Sequence, residues 1–376
     1  MLWSDTVHNL VIMKNKARKA GHMTANTITR RNFMKTAGGL GAVALTSDNC
    51  TKMRKSTLKP IKGSWFEFQH HNTKEGIYWN PECAAFTCKQ WADKVKEVAD
   101  IGMEYLVLMH TALYSKAFYQ TGLFPRYDIA CGDPIEAILS AGDRYGVKFF
   151  MGGGFYGDWM SPGIITDPEA RRKRLIAIEE LTALYGHHRS FYGWYWPNEA
   201  FINKYFSDHF IAYVNECSGL ARSLTPGIRT LVAPYGTRVA VPDDRYIKQL
   251  EKMDVDIIAY QDEIGVRKTK VEESAAFYEG LRKAHNRVPH VALWADMEVF
   301  EFEGEVYKSA LLPASFSRVE QQITALSPYV DIILMYQYQG MMNKPGSSSF
   351  AGHPDSTKLY SEYVSWLQIN CPEALL

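Results

Sequence analysis

The chain is 376 residues long, 46% apolar and 22% charged, which is enough to bury one large core or two small ones. Its 42 basic and 41 acidic side chains leave a formal net charge of +1, so nothing in the charge points to nucleic acid or an acidic membrane surface as partner. The informative excess is aromatic: 22 Tyr, 18 Phe and 9 Trp suit stacking on the apolar faces of sugars, and equally suit the filling of a large core.

At the N-terminus, residues 29–47 set two adjacent arginines before an aromatic residue, a lysine and a weakly hydrophobic Gly/Ala-rich run. On Arg30, Arg31, Phe33 and Lys35 this stretch resembles a twin-arginine export signal. The resemblance implies handling by the twin-arginine machinery and a periplasmic or secreted destination. A long extension, residues 1–28, precedes the arginines, and Met23 is an alternative start. Cys50 follows Ser-Asp-Asn, which is not a lipoprotein cleavage box, so no lipid anchor is expected. Residues 1–60 are read as signal plus disordered leader, and residues 61–370 as the folded domain. That domain has no apolar run of about 18 residues, so no stable membrane insertion is expected once the signal is removed. Of the six cysteines (50, 83, 88, 131, 217 and 371), none forms a metal-type Cys-x-x-Cys pair; Cys83 and Cys88 read as either a loop bridge or two free thiols.

From residue 61 short apolar runs alternate with longer amphipathic ones, the pattern of βα units on a parallel sheet. Strand one is expected over 63–69, running into His70 and His71. A helix near 87–101 carries Trp91, Val95, Val98 and Ala99 at helical spacing. Strand two, 105–109, ends at His110; Asp133-Pro134 opens a helix that Gly146 stops. Strand three, 147–151, ends in Gly152, Gly153 and Gly154, which let backbone approach a ligand or make a tight turn. Asp167-Pro168 opens a helix to Tyr185. Strand four is Tyr192-Gly-Trp-Tyr-Trp-Pro-Asn-Glu199, an aromatic run ending on an amide and a carboxylate. Helices near 207–223, 243–252, 271–285, 315–326 and 356–367 then alternate with strands five to eight at 230–235, 255–263, 291–298 and 331–339. Eight such units, with no glycine-rich phosphate loop after strand one, specify a single-domain (β/α)8 TIM barrel rather than an open doubly wound sheet. Long inserts after strands one, two, seven and eight are expected to crown one face.

Active sites of such barrels lie where the strands end. The polar residues there are His70, His71, His110, Asn198, Glu199, Gln261, Asp262, Glu263, Asp296, Glu298, Gln337 and Gln339. A lone Glu at a strand tip is usually a solvated loop residue. Here acidic tips on strands four, six and seven converge beside Trp194, Trp196, Tyr260 and Trp294. Two carboxylates facing each other suit glycoside hydrolysis, one protonating the leaving oxygen and the other attacking the anomeric carbon or activating water. Apolar neighbours help the acid keep its proton.

Asn-Glu at the end of strand four with a second Glu at the end of strand seven resembles the large clan of retaining glycosidases that carry their catalytic residues on those strands. The resemblance implies Glu199 as acid/base, Glu298 as nucleophile and Asn198 as the amide contacting the sugar 2-hydroxyl. More closely, the runs Gly-Trp-Tyr-Trp-Pro-Asn-Glu, Ala-Tyr-Gln-Asp-Glu-Ile-Gly and Leu-Trp-Ala-Asp-Met-Glu-Val-Phe resemble an uncharacterised bacterial family of glycosidase-like barrel domains, over nearly all of residues 60–367. That resemblance implies a barrel and a carbohydrate context. The family's strand-six motif is Gln-Asp-Gly, from which Glu263 departs, favouring Asp262 over Glu263 as a shared site residue. Expected substrate contacts are Asn198, Asp262, Asp296, Tyr260, Trp196, Trp294, His71, His110 and Gln337, with no metal and no cofactor. Two other readings stand beside hydrolysis. One is a barrel that binds carbohydrate without cleaving it. The other is a metal-dependent sugar isomerase or epimerase using His71, His110, Glu199, Asp262 and Glu298 as ligands. Asp262 or Asp296 could also replace Glu298 opposite Glu199, and the sequence leaves open which of Asp296 and Glu298 points inward.

Overall fold

The computed structural model describes residues 58–161 and 163–375; the signal segment, with Met23 and Cys50, lies outside them. Eight parallel strands close on themselves: β1 (Ile61–Phe66), β2 (Tyr105–Leu108), β3 (Lys148–Gly152), β4 (Phe191–Tyr195), β5 (Arg229–Val232), β6 (Ile257–Gln261), β7 (Ala292–Glu298) and β8 (Ile332–Tyr336). Each pairs with its chain neighbours, and β1 closes the ring against β8. The fold is a single-domain (β/α)8 TIM barrel. Around it run α1 (Cys88–Asp100), α2 (Pro134–Tyr145), α3 (Pro168–Tyr185), α4 (Asp208–Leu224), α5 (Asp244–Lys252), α6 (Val271–His285), α7 (Phe316–Leu326) and α8 (Ser356–Asn370).

The helix boundaries follow the capping residues. Thr87 and Gln90 form a reciprocal capping box at α1. Asp133 accepts the Glu136 N–H at 3.0 Å, and α2 ends on Gly146 in the left-handed region at φ 77°. Asp167 accepts the Ala170 N–H at 2.7 Å at the start of α3.

Each strand is buried on both faces, which is why the strands read as continuous apolar runs. Trp65, Tyr105, Phe150, Tyr195, Leu231 and Trp294 pack together inside the barrel. Residues of the opposite parity, such as Phe66, Trp194, Ile258, Tyr260 and Met335, pack against the helices in a separate, larger core. This parity decides which strand-tip side chains reach the mouth.

The strand-three glycines serve packing. A Cβ on Gly152 would lie 2.3 Å from the Leu108 carbonyl oxygen and 2.6 Å from that of Met109. One on Gly153 would press the Trp196 ring at 3.2 Å, and Gly154 takes φ 82°. They let β2, β3 and β4 meet closely at their tips.

The inserts after β1, β2, β7 and β8 crown the C-terminal face. The first carries a short helix (Asn80–Ala85), the second a small hairpin (Ala112–Leu113 with Lys116–Ala117), and the third a hairpin (Phe300–Phe302 with Leu311–Pro313). The cysteine arrangement is neither the local bridge nor the pair of free thiols that the sequence left open. Cys88, at the start of α1, bonds Cys131 in the insert after β2, while Cys83 is a buried free thiol. The bridge ties the second crown insert to the first helix, and it suits an oxidising compartment.

Closing a loop of 43 residues should stabilise the fold by about 2–4 kcal/mol through the unfolded chain. Thermal unfolding of a Cys88→Ser/Cys131→Ser variant is therefore expected to show a clear fall in Tm. Equal midpoints with and without reductant in the wild-type protein would contradict the bridge.

Candidate active site

The mouth is built by inward-facing side chains one layer above the apolar interior. On β7, Trp294 lies in the barrel core, and the pairing with β8 runs without irregularity through Asp296↔Leu334 to Glu298↔Tyr336. Asp296 and Glu298 therefore share the inward parity, which answers the question the sequence left open. By the same alternation Tyr195 leads to Glu199, Ala259 to Gln261, Leu334 to Tyr336, and Trp65 to Glu67.

Glu199 stands just past the tip of β4 and keeps contact with solvent, yet protein atoms surround its carboxyl on most sides. Desolvation raises its pKa to about 7, against the opposing hydrogen bond from Gln261 and the charge of Lys268. Glu298 is buried and held from four directions. Its Oε2 accepts the Val266 N–H at 2.8 Å, and its own N–H donates to Asp262 Oδ1 at 3.1 Å. Its carbonyl accepts from Arg318 at 2.9 Å and from Gln322 at 3.0 Å. Burial, then the charges of Asp262 and Glu263, push its carboxyl well above the usual range. Asp296 lies between the two glutamates: burial raises its pKa, and it feels Glu298 first and Glu199 second. Its Oδ1 has no hydrogen-bond partner. Tyr195 and Tyr336 complete the cluster, both phenols feeling Glu199 and Asp296.

The other side of the mouth is already neutralised. Glu67, fully buried, accepts from His70 Nδ1 at 2.9 Å, Trp79 Nε1 at 3.0 Å and Gln337 Nε2 at 2.7 Å. His70 Nε2 contacts Glu75 at 3.1 Å, and Tyr336 Oη lies 3.1 Å from His70 Nδ1. Although burial opposes both charges, Glu67 is held down at about 2 and His70 up at about 9, each by the other's charge and hydrogen bonds. Glu67 was not among the expected site residues. The signal was present, since it is the inward position two residues beyond Trp65, but it reads as part of an aromatic strand.

The remaining expected residues are dispersed. Gln337 reaches the mouth through Glu67. His71 lies beside it, its ring 4.6 Å from Trp159, and burial followed by the His70 charge depresses its pKa. Trp196 faces the helices, stacked on Trp194 and donating to Ser218 at 3.0 Å. Tyr260 also turns outward, to Tyr246 at 2.7 Å and His285 at 3.0 Å. Trp294 lies below the mouth, against Tyr105 and Phe150. His110 is fully buried between Phe118 and Phe155, where burial pulls its pKa down to about 4. Asp262 sits behind the strand tips; besides Glu298, it accepts from Gln322 at 2.7 Å and from the Ile264 N–H at 3.3 Å, so its role here is to position Glu298. Asn198 is buried at the tip of strand four beside Glu199.

Glu67, His70 and His71 bring ligand atoms within 4.8 Å of one another. Glu67 Oε1, however, is already occupied there, accepting from His70, Trp79 and Gln337 inside the buried network. His110 and Asp262 do not join this group.

Comparison with known proteins sets this geometry in context. The sequence pattern of a domain of unknown function, DUF4434, matches residues 61–349, and that of the twin-arginine translocation pathway signal matches residues 27–47. The chain is thus directed to export. No helix among the described residues is long and apolar enough to cross a membrane. No curated protein matches the chain. Among solved structures, a Bacteroides thetaiotaomicron protein provisionally named an alpha-L-fucosidase superposes with a TM-score of 0.68 at 17% identity, covering 89% of this chain and 99% of that one. The endo-beta-1,4-mannanase of Thermotoga petrophila gives 0.54 at 12% identity, covering 84% and 78%. The GH2 beta-galacturonidase of Eisenbergiella tayi gives 0.52 at 12% identity, covering 83% and 51%. At such identities the likeness is one of fold alone, the TIM barrel.

The Glu67–His70 pair makes a stability prediction. Glu67, depressed from 4.5 to about 2, contributes above pH 4.5 and loses its contribution as pH falls through about 2. His70, raised from 6.5 to about 9, contributes below pH 6.5 and loses it as pH rises through about 9. A His70→Ala variant leaves Glu67 buried without its cation and should lose about 3–5 kcal/mol between those limits in denaturant titration. A loss under about 1 kcal/mol would mean that the pair is not charged.

Proposed function

We propose that this chain, which belongs to the DUF4434 family, is an exported glycoside hydrolase acting through Glu199 and Glu298 at the barrel mouth. The observation that carries the reading is the acid at the tip of strand four: burial raises the Glu199 pKa to about 7, while on β7 the Glu298 side chain is held by the Val266 N–H and its backbone by Asp262, Arg318 and Gln322. The resemblance to retaining glycosidases supports the same two residues, and the fold likeness to a mannanase and a galacturonidase supports a glycan substrate.

The first step runs from the state in which Glu298 has lost its proton to solvent and Glu199 has kept its own: the Glu199 carboxyl gives its proton to the glycosidic oxygen, the C–O bond breaks, and a Glu298 carboxylate oxygen bonds the anomeric carbon. In the second, ionised Glu199 takes a proton from water as that water attacks the same carbon and releases Glu298. The Val266 N–H fixes Glu298 Oε2, which leaves Oε1 to attack. Asp296 feels the charges of Glu298 and Glu199, so ionisation of either glutamate favours a protonated Asp296. Lys268 offsets part of that charge from the β6–α6 loop, where it feels both Glu263 and Glu298. On this reading Asn198, next to Glu199 in the chain, contacts the sugar, and the His71 ring packed on Trp159 offers a further contact.

Two measurements test this. On a panel of fucosides, mannans and uronides, Glu199→Gln should cut turnover by about 10²–10⁴-fold on a poor leaving group, and Glu298→Gln should abolish it. Wild-type rates in either variant would overturn the assignment. Loss in Asp296→Asn with retention in Glu298→Gln would move the nucleophile to Asp296. Because a raised carboxyl pKa extends the protonated form upward, kcat/KM should fall as pH rises through about 7. That limb should vanish in Glu199→Gln. Glycan binding without product in every assay would identify a binding barrel instead.

A further inference from the structure

Away from the mouth, on the outer helix layer, a second cluster of chemistry-bearing side chains joins α2 to the loop between α3 and β4. Glu136 on α2 and His187 and His188 in that loop bring one ligand atom each to within 4.8 Å of one another. The His187 and His188 rings lie 4.1 Å apart at an interplanar angle of 37°. His188 Nε2 faces Glu136 Oε2 at 3.0 Å, while its Nδ1 is bound to Asp143 Oδ2 at 2.8 Å. Asp143 is itself pinned, its Oδ1 accepting the Ser190 N–H at 2.7 Å. The second oxygen of Glu136 accepts from Ser140 at 2.7 Å. His188 is buried, whereas His187 is exposed and the Glu136 side chain is 44% exposed, so the cluster opens to solvent on one side.

We propose that Glu136, His187 and His188 form a binding site for a borderline divalent transition-metal ion such as Zn(II). The donor set of two imidazoles and one carboxylate suits Zn(II), and a fourth position remains for water on the solvent side. The argument beyond proximity is the outer contact. A metal-binding imidazole typically donates its far N–H to a carboxylate, which fixes its tautomer and aim. The Asp143–His188 pair supplies that arrangement, with Asp143 locked by the Ser190 backbone. Binding replaces one proton: the hydrogen shared between His188 Nε2 and Glu136 Oε2 leaves to solvent, and both atoms take the metal. The Asp143 contact is unchanged. The ligands come from an α2 turn and the loop leading into β4, so occupancy would staple two neighbouring units of the barrel. This site does not depend on the hydrolase reading.

The test is isothermal titration of the chelator-treated, dialysed full chain with ZnCl2, together with metal analysis after gel filtration. The expected result is saturable binding of one Zn(II) per chain. Binding should weaken at least tenfold in His187→Ala and in Glu136→Gln. His187 is exposed, so its variant should fold, which circular dichroism checks. Asp143→Asn, which keeps shape but alters the outer partner, should weaken binding by about 10–100-fold. Absence of saturable binding overturns the proposal. So does wild-type affinity in His187→Ala and Glu136→Gln, which would place any bound metal elsewhere, for example at Glu67, His70 and His71.

Discussion

Crowding of carboxyl groups in a desolvated mouth is the constraint from which the rest follows. Glu67, Glu199, Asp296 and Glu298 all project inward from strand tips, and burial opposes charge on each of them. The chain resolves the conflict differently on the two sides. On the β1 side His70 donates to Glu67 and contacts Glu75, giving a fixed, ionised network. On the β4–β7 side no histidine among the described residues pairs with the acids; Arg318 behind the β7 tip and Lys268 in the β6–α6 loop offset only part of their charge. Burial there favours the protonated carboxyls, the direction that the proposed acid role of Glu199 needs.

The second consequence is mechanical. For the proposed attack by Glu298, the backbone has to be held as well as the side chain. At the tip of β7 the backbone N–H and C=O of Glu298 are both engaged, by Asp262 and by Arg318 and Gln322 of α7. Asp262 looks like a substrate ligand in one dimension because it ends an acidic strand. In three dimensions its oxygens are turned toward α7 and its neighbours' N–H groups. The same strand thus supplies a site residue inward, Gln261, and a supporting residue outward, one position later.

Eight strands, eight helices and their caps were legible because burial on both faces and helical amphipathicity write directly into local sequence. Asp133, Asp167 and Gly146 act within a few residues of themselves, so their roles needed no tertiary context. Glu199 and Glu298 were legible as strand-tip acids for the same reason. The aromatic residues were misleading. Trp196 and Tyr260 stand beside the acids in sequence, but one step along a strand turns a side chain to the opposite face, so both lie against helices. Trp294 keeps the inward parity but sits two residues too deep. Cys88 pairs with Cys131 rather than the nearby Cys83, because the partner is set by how the second crown insert folds back over α1.

By itself, then, the sequence determined the barrel, the export signal, and which strands end in acid, since each depends on local pattern and period. Only the tertiary structure decided that Asp296 and Glu298 share one face, that Glu67 is neutralised by His70, and that Asp262 supports rather than lines the mouth. Those outcomes depend on strand parity, on the loops that cross the tips, and on how much water each carboxyl loses. None of these is a property of neighbouring residues; all are fixed only when the eighth strand closes against the first.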